Sequence, residues 1–182
     1  MIVLNTPLTK EDILKLNVGD EVVLNGTIFS ARDKAHVFFL QNEFEKIKNS
    51  VIYHCGPILK EHTVIAAGPT TSARMNMFTP ALIKNYGIKA IIGKGGMDDA
   101  VKEALRGNAV YLSAIGGAAC LYAEKMSVIK GYKLEFGMPE AIWEFEVKGF
   151  PVVVTMDAHG NSLYDEVLEK SKAAFLLLIQ NL

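Results

Sequence analysis

Cysteine is scarce, with only Cys55 and Cys120 in a chain of 182 residues. Two thiols are too few to hold an iron–sulfur cluster, which takes several cysteines at characteristic spacing, and both lie in apolar surroundings that suit core thiols. An excess of one charge is also missing, since 19 Lys and Arg stand against 20 Asp and Glu for a formal net charge of −1. With no basic run, nucleic acid and anionic membrane are excluded as main partners. The most apolar late run, residues 173–179, is much too short to span a bilayer. Residues 1–8 lack the basic start and long apolar core of a secretory signal, so a cytoplasmic location is expected. There is no internal repeat, low-complexity segment or linker.

Apolar residues are plentiful. Half of the chain is hydrophobic and 21% charged, which suits one well-buried domain over residues 1–182. Thr9 with Asp12 three residues later, ahead of Ile13, Leu14 and Leu16, predicts a short capped helix. Residues 21–29 are β-rich, with a bulge or turn at Asn25-Gly26. The spacing of Val37, Phe38, Leu40, Phe44 and Ile47 predicts a helix over 35–47. Short apolar runs at 51–57, 63–67, 88–92 and 109–114 then alternate with helical patterns. Those helices open at Thr79-Pro80, at Asp98 and after Gly116-Gly117, and Gly87 and Gly107 act as stops. This rhythm favours parallel strands covered by helices, an α/β fold with a mixed sheet. Three β-rich runs follow at 132–136, 141–147 and 150–156, in which Trp143 reads as a packing residue. A turn at Asp157-Ala158-His159-Gly160-Asn161 leads into an amphipathic helix over 162–180, with Leu163, Val167, Ala174 and Leu178 near one face. One histidine beside a glycine turn, His159, is poor support for a metal site.

Two glycine-bearing loops each follow an apolar run: Gly68-Pro69-Thr70-Thr71-Ser72-Ala73-Arg74-Met75 and Gly93-Lys94-Gly95-Gly96-Met97. Strands that deliver loops to the carboxyl end of an open α/β sheet place them around one crevice. The first loop offers three hydroxyls and a guanidinium, the second an ammonium among glycines. Small side chains leave backbone N–H groups free for an anion, and Arg74 can grip a carboxylate through two parallel hydrogen bonds. Such a pocket suits a small anion. The same compositions also describe an ordinary turn and a tight strand-to-helix connection, and spacing alone does not choose. A phosphate- or nucleotide-binding module built on residues 93–96 is disfavoured, because a P-loop needs wider glycine spacing and a Ser or Thr after the lysine. Arg32 sits where a strand hands over to a helix, with Asp33 favouring the positive end of the helix dipole.

These loops, together with Ala31-Arg32-Asp33-Lys34-Ala35-His36, Phe136-Gly137-Met138-Pro139-Glu140-Ala141-Ile142-Trp143 and the 157–161 turn, closely resemble the β subunit, or C-terminal domain, of iron–sulfur class I fumarases and L-tartrate dehydratases. Five blocks stand in the family's order over nearly the whole chain. The resemblance implies a swivelling β/β/α fold and a hydro-lyase that reversibly adds water across the double bond of a small dicarboxylate, fumarate to L-malate. It implies a partner α subunit that carries a four-iron four-sulfur cluster, with none bound by this chain, and assembly into a higher oligomer. L-Tartrate or mesaconate as substrate stays open on this evidence.

By the family's motif, Arg32 and Arg74 bind substrate, Lys94 is the catalytic glycine-loop lysine, and Thr70 is the catalytic base; Thr71, expected to bind substrate as well, helps with Ser72 to shape the loop. Asp33 and His36, in the matched block, are read as orienting Arg32. Elimination next to a carboxylate builds charge on that carboxylate, which Arg32, Arg74 and Lys94 would stabilise in the transition state. A free alcohol stays protonated at neutral pH, so Thr70 requires a neighbouring cation, Lys94 or Arg74, to stabilise its alkoxide.

Overall fold

One strand of fifteen residues, β9 (Ile142–Met156), closes the sheet on itself. The computed structural model describes residues 1–180. The other strands are β1 (Ile2–Asn5), β2 (Glu21–Ser30), β3 (Val51–Tyr53), β4 (Ile58–Lys60), β5 (Thr63–Ala66), β6 (Ala90–Gly93), β7 (Val110–Ser113) and β8 (Met126–Tyr132). The helices are α1 (Lys10–Leu14), α2 (Asp33–Gln41), α3 (Thr79–Tyr86), α4 (Asp99–Leu105), α5 (Ala119–Ala123) and α6 (Leu163–Gln180), with 3₁₀ turns at Glu45–Ile47, Ser72–Met75 and Leu134–Phe136. Seven strands run in the order β1-β2-β3-β6-β7-β9-β8, and β2 also pairs with β9, so β2, β3, β6, β7 and β9 form a ring. The pairs among β1, β2, β3, β6 and β7 are parallel, whereas β9 is antiparallel to β2, β7 and β8. The result is the expected α/β class with a mixed sheet. A separate hairpin is made by β4 and β5.

Alternation along the strands sets up two cores, because successive side chains point to opposite faces. Ile52, Ile91 and Tyr111 pack with Phe39 of α2, Leu82 and Ile83 of α3, and Val101 and Leu105 of α4. Their neighbours Tyr53, Ile92 and Leu112 pack the other way, with Leu24, Ile28, Phe145, Phe150 and Val154. Strands buried on both faces read as continuous apolar runs. Each fully buried Leu, Ile or Phe stabilises the fold by roughly 1.5–3 kcal/mol.

Local chemistry fixes most element ends as expected. Thr9 and Asp12 form a capping box at α1, Asp98 accepts from Val101 N at 3.0 Å to cap α4, and Gly87 ends α3 in the left-handed region. Register slips between Leu24 and Gly26, the expected bulge. Trp143 is partly buried against the core.

Several expectations need correction. The helix over 35–47 stops at Gln41, because Asn42 turns extended and both its backbone N–H and its Nδ2 bond Phe38 O, at 2.9 and 3.0 Å. Thr79 is not a cap but a helical residue whose hydroxyl donates to Met75 O at 2.9 Å. The run at 132–136 is no strand: β8 ends at Tyr132, and Lys133 in the left-handed region opens a 3₁₀ turn. The two later runs are one strand, β9, with an irregularity where Gly149 N donates to Asn25 Oδ1 at 2.9 Å. The final helix is present as α6, its start tied to the body by Tyr164 Oη 2.6 Å from Ser113 Oγ and by Asp165 2.7 Å from Lys102, while Val167, Phe175 and Leu178 are exposed. Cys55 is buried as expected, but Cys120 is exposed. Among the described residues no helix is long and apolar enough to cross a membrane.

Candidate functional site

Because β2, β3, β6 and β7 are parallel, their carboxyl ends lie on one side of the sheet. Arg32 follows β2, His54 to Gly56 follow β3, Lys94 follows β6, and Ala114 to Gly117 follow β7. The threonine loop arrives differently from the expectation: it leaves β5, in the hairpin outside the sheet. It docks between the ends of β3 and β6. Thr70 N donates to His54 O at 2.7 Å, Lys94 N to Thr70 O at 3.3 Å and Ser72 N to Lys94 O at 3.1 Å. Thr70, Thr71 and Lys94 are thereby brought together by backbone pairing, with the Thr71 side chain exposed.

Arg74 occupies the centre of the polar cluster. Its Nε and Nη2 donate to Asp33 Oδ1 and Oδ2 at 3.2 and 3.1 Å, and Nη2 also donates to Thr70 Oγ1 at 3.1 Å. The two-pronged edge expected for a substrate carboxylate is thus taken by Asp33, which leaves Nη1 outside that pairing. Asp33 serves Arg74 and not chiefly Arg32, whose Nε is 4.0 Å from Asp33 Oδ2. The hydrogen bond from Arg74 holds the Asp33 carboxyl below its usual range, and the same bond raises Arg74. The pairing is charge-assisted and fork-like, which fixes orientation as well as supplying energy.

Arg32 lies across Gly56, where a β-carbon would come within 2.7 Å of Nη1 and 2.8 Å of Cδ. Its Nε approaches Glu140 Oε1 to 3.2 Å without hydrogen-bond geometry, so this contact is one of charge alone. Glu140 also accepts from Lys34 N at 3.0 Å. Lys94 runs past Gly116, whose added β-carbon would lie 3.5 Å from Lys94 Cδ. The loop after β7 therefore forms a further wall of the site, one that the sequence reading passed over as a helix start.

Beneath the loops lie His54 and Tyr111, which no motif marked, with Ser72 of the threonine loop, all fully buried. Burial lowers the pKa of His54 and raises that of Tyr111. His36, beside His54 with ring centroids 5.0 Å apart, is lowered to about 4 by burial. Its Nδ1 is 2.8 Å from Arg32 O, so it orients the backbone at Arg32.

Among the described residues no group of three His, Cys, Asp or Glu is placed to hold a metal ion. Burial pushes the Cys55 thiol up to about 12, which disfavours a thiolate. The donor set of this chain does not fit an iron–sulfur cluster. A groove of about 770 Å³ adjoins the site, floored by Phe38, Phe78 and Phe136 and shared at one end with Asp33 and Arg74. Thr70, Lys94 and Arg32 do not line it. These groups can bind a small anion with cations and place a hydroxyl against a guanidinium.

The model of the family described as Fumarase C-terminus matches residues 1–167. The chain belongs to that family. As a fumarase C-terminus domain it is 45% identical over 179 residues to a protein of Geobacillus stearothermophilus named as a class I fumarate hydratase, covering 94% of this chain but 35% of that protein. It is 46% identical over 177 residues to a Methanocaldococcus jannaschii protein named as an L(+)-tartrate dehydratase subunit beta, covering 90% of this chain and 91% of the other. The L(+)-tartrate dehydratase subunit beta of Escherichia coli is 34% identical over 174 residues, covering 90% and 87%. The chain thus spans about a third of the first relative and nearly all of the other two.

Proposed function

We propose that this chain is the β subunit of a hydro-lyase that reversibly hydrates fumarate to L-malate, and that a separate α subunit completes the active site. The observation that carries the reading is the Arg74 Nη2 to Thr70 Oγ1 hydrogen bond of 3.1 Å, next to Lys94. In the elimination direction Thr70 first releases its own proton to solvent, and the alkoxide held by Arg74 takes the proton from the carbon next to a substrate carboxylate. The C–H electron pair becomes the double bond, the C–O bond on the adjacent carbon breaks, and the released hydroxide takes up a proton from solvent and leaves as water. A hydroxyl that receives a guanidinium hydrogen bond carries negative charge at lower cost than a free alcohol. Arg32 and Lys94, with Arg74 Nη1, hold the two carboxylates and meet the charge that develops on one of them. Thr71 borders the substrate through its exposed side chain.

The cluster implied by the family resemblance belongs, in this reading, to the α subunit. The chain supplies cations and a hydroxyl. A cytoplasmic setting and a higher oligomer belong to the same proposal.

A second reading, L-tartrate dehydratase, is supported by the relatives at 46% and 34% identity that are named as its subunit beta. Anaerobic co-expression with the candidate α chain and reconstitution with iron and sulfide separate the two. Fast hydration of fumarate with slow dehydration of L-tartrate is the expected result. Preference for tartrate would move the assignment to the second reading, and failure on both with an intact cluster would overturn the two together.

A further inference from the structure

The buried groups under the loops obey a proton count. Tyr111 Oη lies 2.8 Å from Gly95 O and 2.8 Å from Ser72 Oγ, and Ser72 Oγ lies 2.8 Å from His54 Nδ1. Tyr111 has one proton, and a carbonyl oxygen only accepts, so that proton goes to Gly95 O. Tyr111 Oη then accepts from the Ser72 hydroxyl, and Ser72 Oγ accepts from His54 Nδ1–H. Three donors meet three acceptors, with every proton pointing from His54 towards Gly95. The opposite order would give Tyr111 two acceptors for one proton. It would also put the histidine proton on Nε2, which is buried without a hydrogen-bond partner in surroundings that include Ile52, Leu82, Ile88 and Ile91. Nε2 has no partner in either tautomer, at a cost of roughly 1–3 kcal/mol, so the Tyr111 proton count decides the direction.

The chain also has the right place in the fold. It starts just beyond β3, passes through Ser72 of the threonine loop, and ends on Gly95 of the lysine loop, next to Lys94. Gly93 makes room for it, since a β-carbon there would overlap Ser72 Oγ.

From this geometry we propose that Tyr111, with His54 and Ser72, is a positioning residue. Their one-way hydrogen-bond chain clamps the threonine loop to the lysine loop and so sets the placement of the Thr70 hydroxyl relative to Lys94. The inference rests on the catalytic reading of Thr70 and Lys94, but its structural half is measurable without activity. A misplacement of about 1 Å at a reacting group costs on the order of a hundredfold in rate.

The test has two arms. On the full chain, ¹⁵N NMR of the histidine side chains reads the His54 tautomer, and amide exchange reads the order of residues 94–97. Nδ1–H in the unaltered chain, and exchange at 94–97 at least about tenfold faster in Tyr111→Phe, are expected on loss of the bond to Gly95. In the assembled enzyme, Tyr111→Phe should lower kcat about tenfold or more with KM within about threefold, the split expected when alignment and not binding is lost. His54→Asn, which keeps a donor in the place of Nδ1, should retain the rate that His54→Leu loses. An Nε2–H tautomer, or loop exchange unchanged in Tyr111→Phe, would overturn the proposal. So would full kcat in Tyr111→Phe on a substrate whose turnover Thr70→Ala abolishes, an outcome that leaves the hydro-lyase reading standing. Full turnover in Thr70→Ala would instead remove that reading, and the tautomer and exchange results would still decide for or against the clamp.

Discussion

The two loops that meet at the site are ordered by different means. The lysine loop continues directly from β6, and the sheet fixes where it begins. The threonine loop comes from a hairpin outside the sheet and is held at its first half by backbone bonds to His54 and Lys94. Its second half keeps one backbone bond, Ser72 N to Lys94 O, and adds side chains, Arg74 on Asp33 and Ser72 against Tyr111. The loop that carries the proposed base therefore depends on backbone and side-chain ties along its whole length, whereas the loop that carries the cation starts on a strand and adds the Tyr111 hydroxyl on Gly95 O.

The largest expected effect lies on the threonine loop itself. Thr70→Ala should lower kcat roughly 10²–10⁴-fold, the usual contribution of a positioned proton-transfer group, with little change in KM or Tm. Steady-state kinetics on the assembled enzyme would show this, and near-normal turnover would remove Thr70 from the base role.

Next comes the glycine at which the loops approach most closely. Gly93→Ala puts a β-carbon onto Ser72 Oγ and 2.9 Å from Tyr111 Oη, and overpacking of this kind costs about 1–3 kcal/mol. Gly95 has nothing within 4 Å of an added β-carbon, although its φ of 71° disfavours one. Urea unfolding should rank Gly93→Ala as the more destabilising of the two. The reverse order would mean that the loops touch less closely than described.

A comparable effect, read in activity instead of stability, is expected from Asp33→Asn, which keeps the shape and removes the charge that holds Arg74. The loss of a charge-assisted bond, about 1.5–3 kcal/mol, should appear as a fall of roughly ten- to hundredfold in kcat/KM. Restored activity at raised substrate concentration would assign the loss to binding.

The smallest effect is one of pH. His36 is lowered to about 4 in the fold by burial against roughly 6.5 when unfolded, so below pH 6.5 the unfolded chain binds the extra proton first. The stability that the neutral ring contributes is full above about 6.5 and declines as pH falls towards 4, by on the order of 1 kcal/mol per unit. Unfolding midpoints measured from pH 7 to 5 should show this slope, and His36→Asn should lessen it, leaving the part due to His54, whose pKa burial also lowers.

Periodicity revealed the elements that pack by one rule: the capped α1, the strand and helix alternation from β3 to β7, and the stop at Gly87. It failed where tertiary pairing decides. Nothing local shows that 141–147 and 150–156 are one strand, because β2 supplies the partner that carries the backbone through Gly149. The apolar positions of α6 have the spacing of a packed face, yet Val167, Phe175 and Leu178 are exposed. At the site, Arg32, Thr70, Arg74 and Lys94 carried a motif and could be named. The role of Asp33 could not, since only the folded chain shows that it pairs with Arg74 and not with its sequence neighbour. Tyr111 reads as an ordinary strand residue, and its hydroxyl acquires a purpose only when Ser72 and Gly95 come within reach.

The long strand β9 has a consequence for how the chain is made. Until residue 156 has left the ribosome, β2 and β7 each keep an unpaired edge, and such edges invite pairing with other chains. Closure waits for contacts between distant parts of the sequence, which form slowly. A prematurely ended chain would therefore carry every residue of the proposed site and still lack the strand that shuts the ring. Such a product would be sent to aggregation or proteolysis before it could compete with the complete chain for a partner.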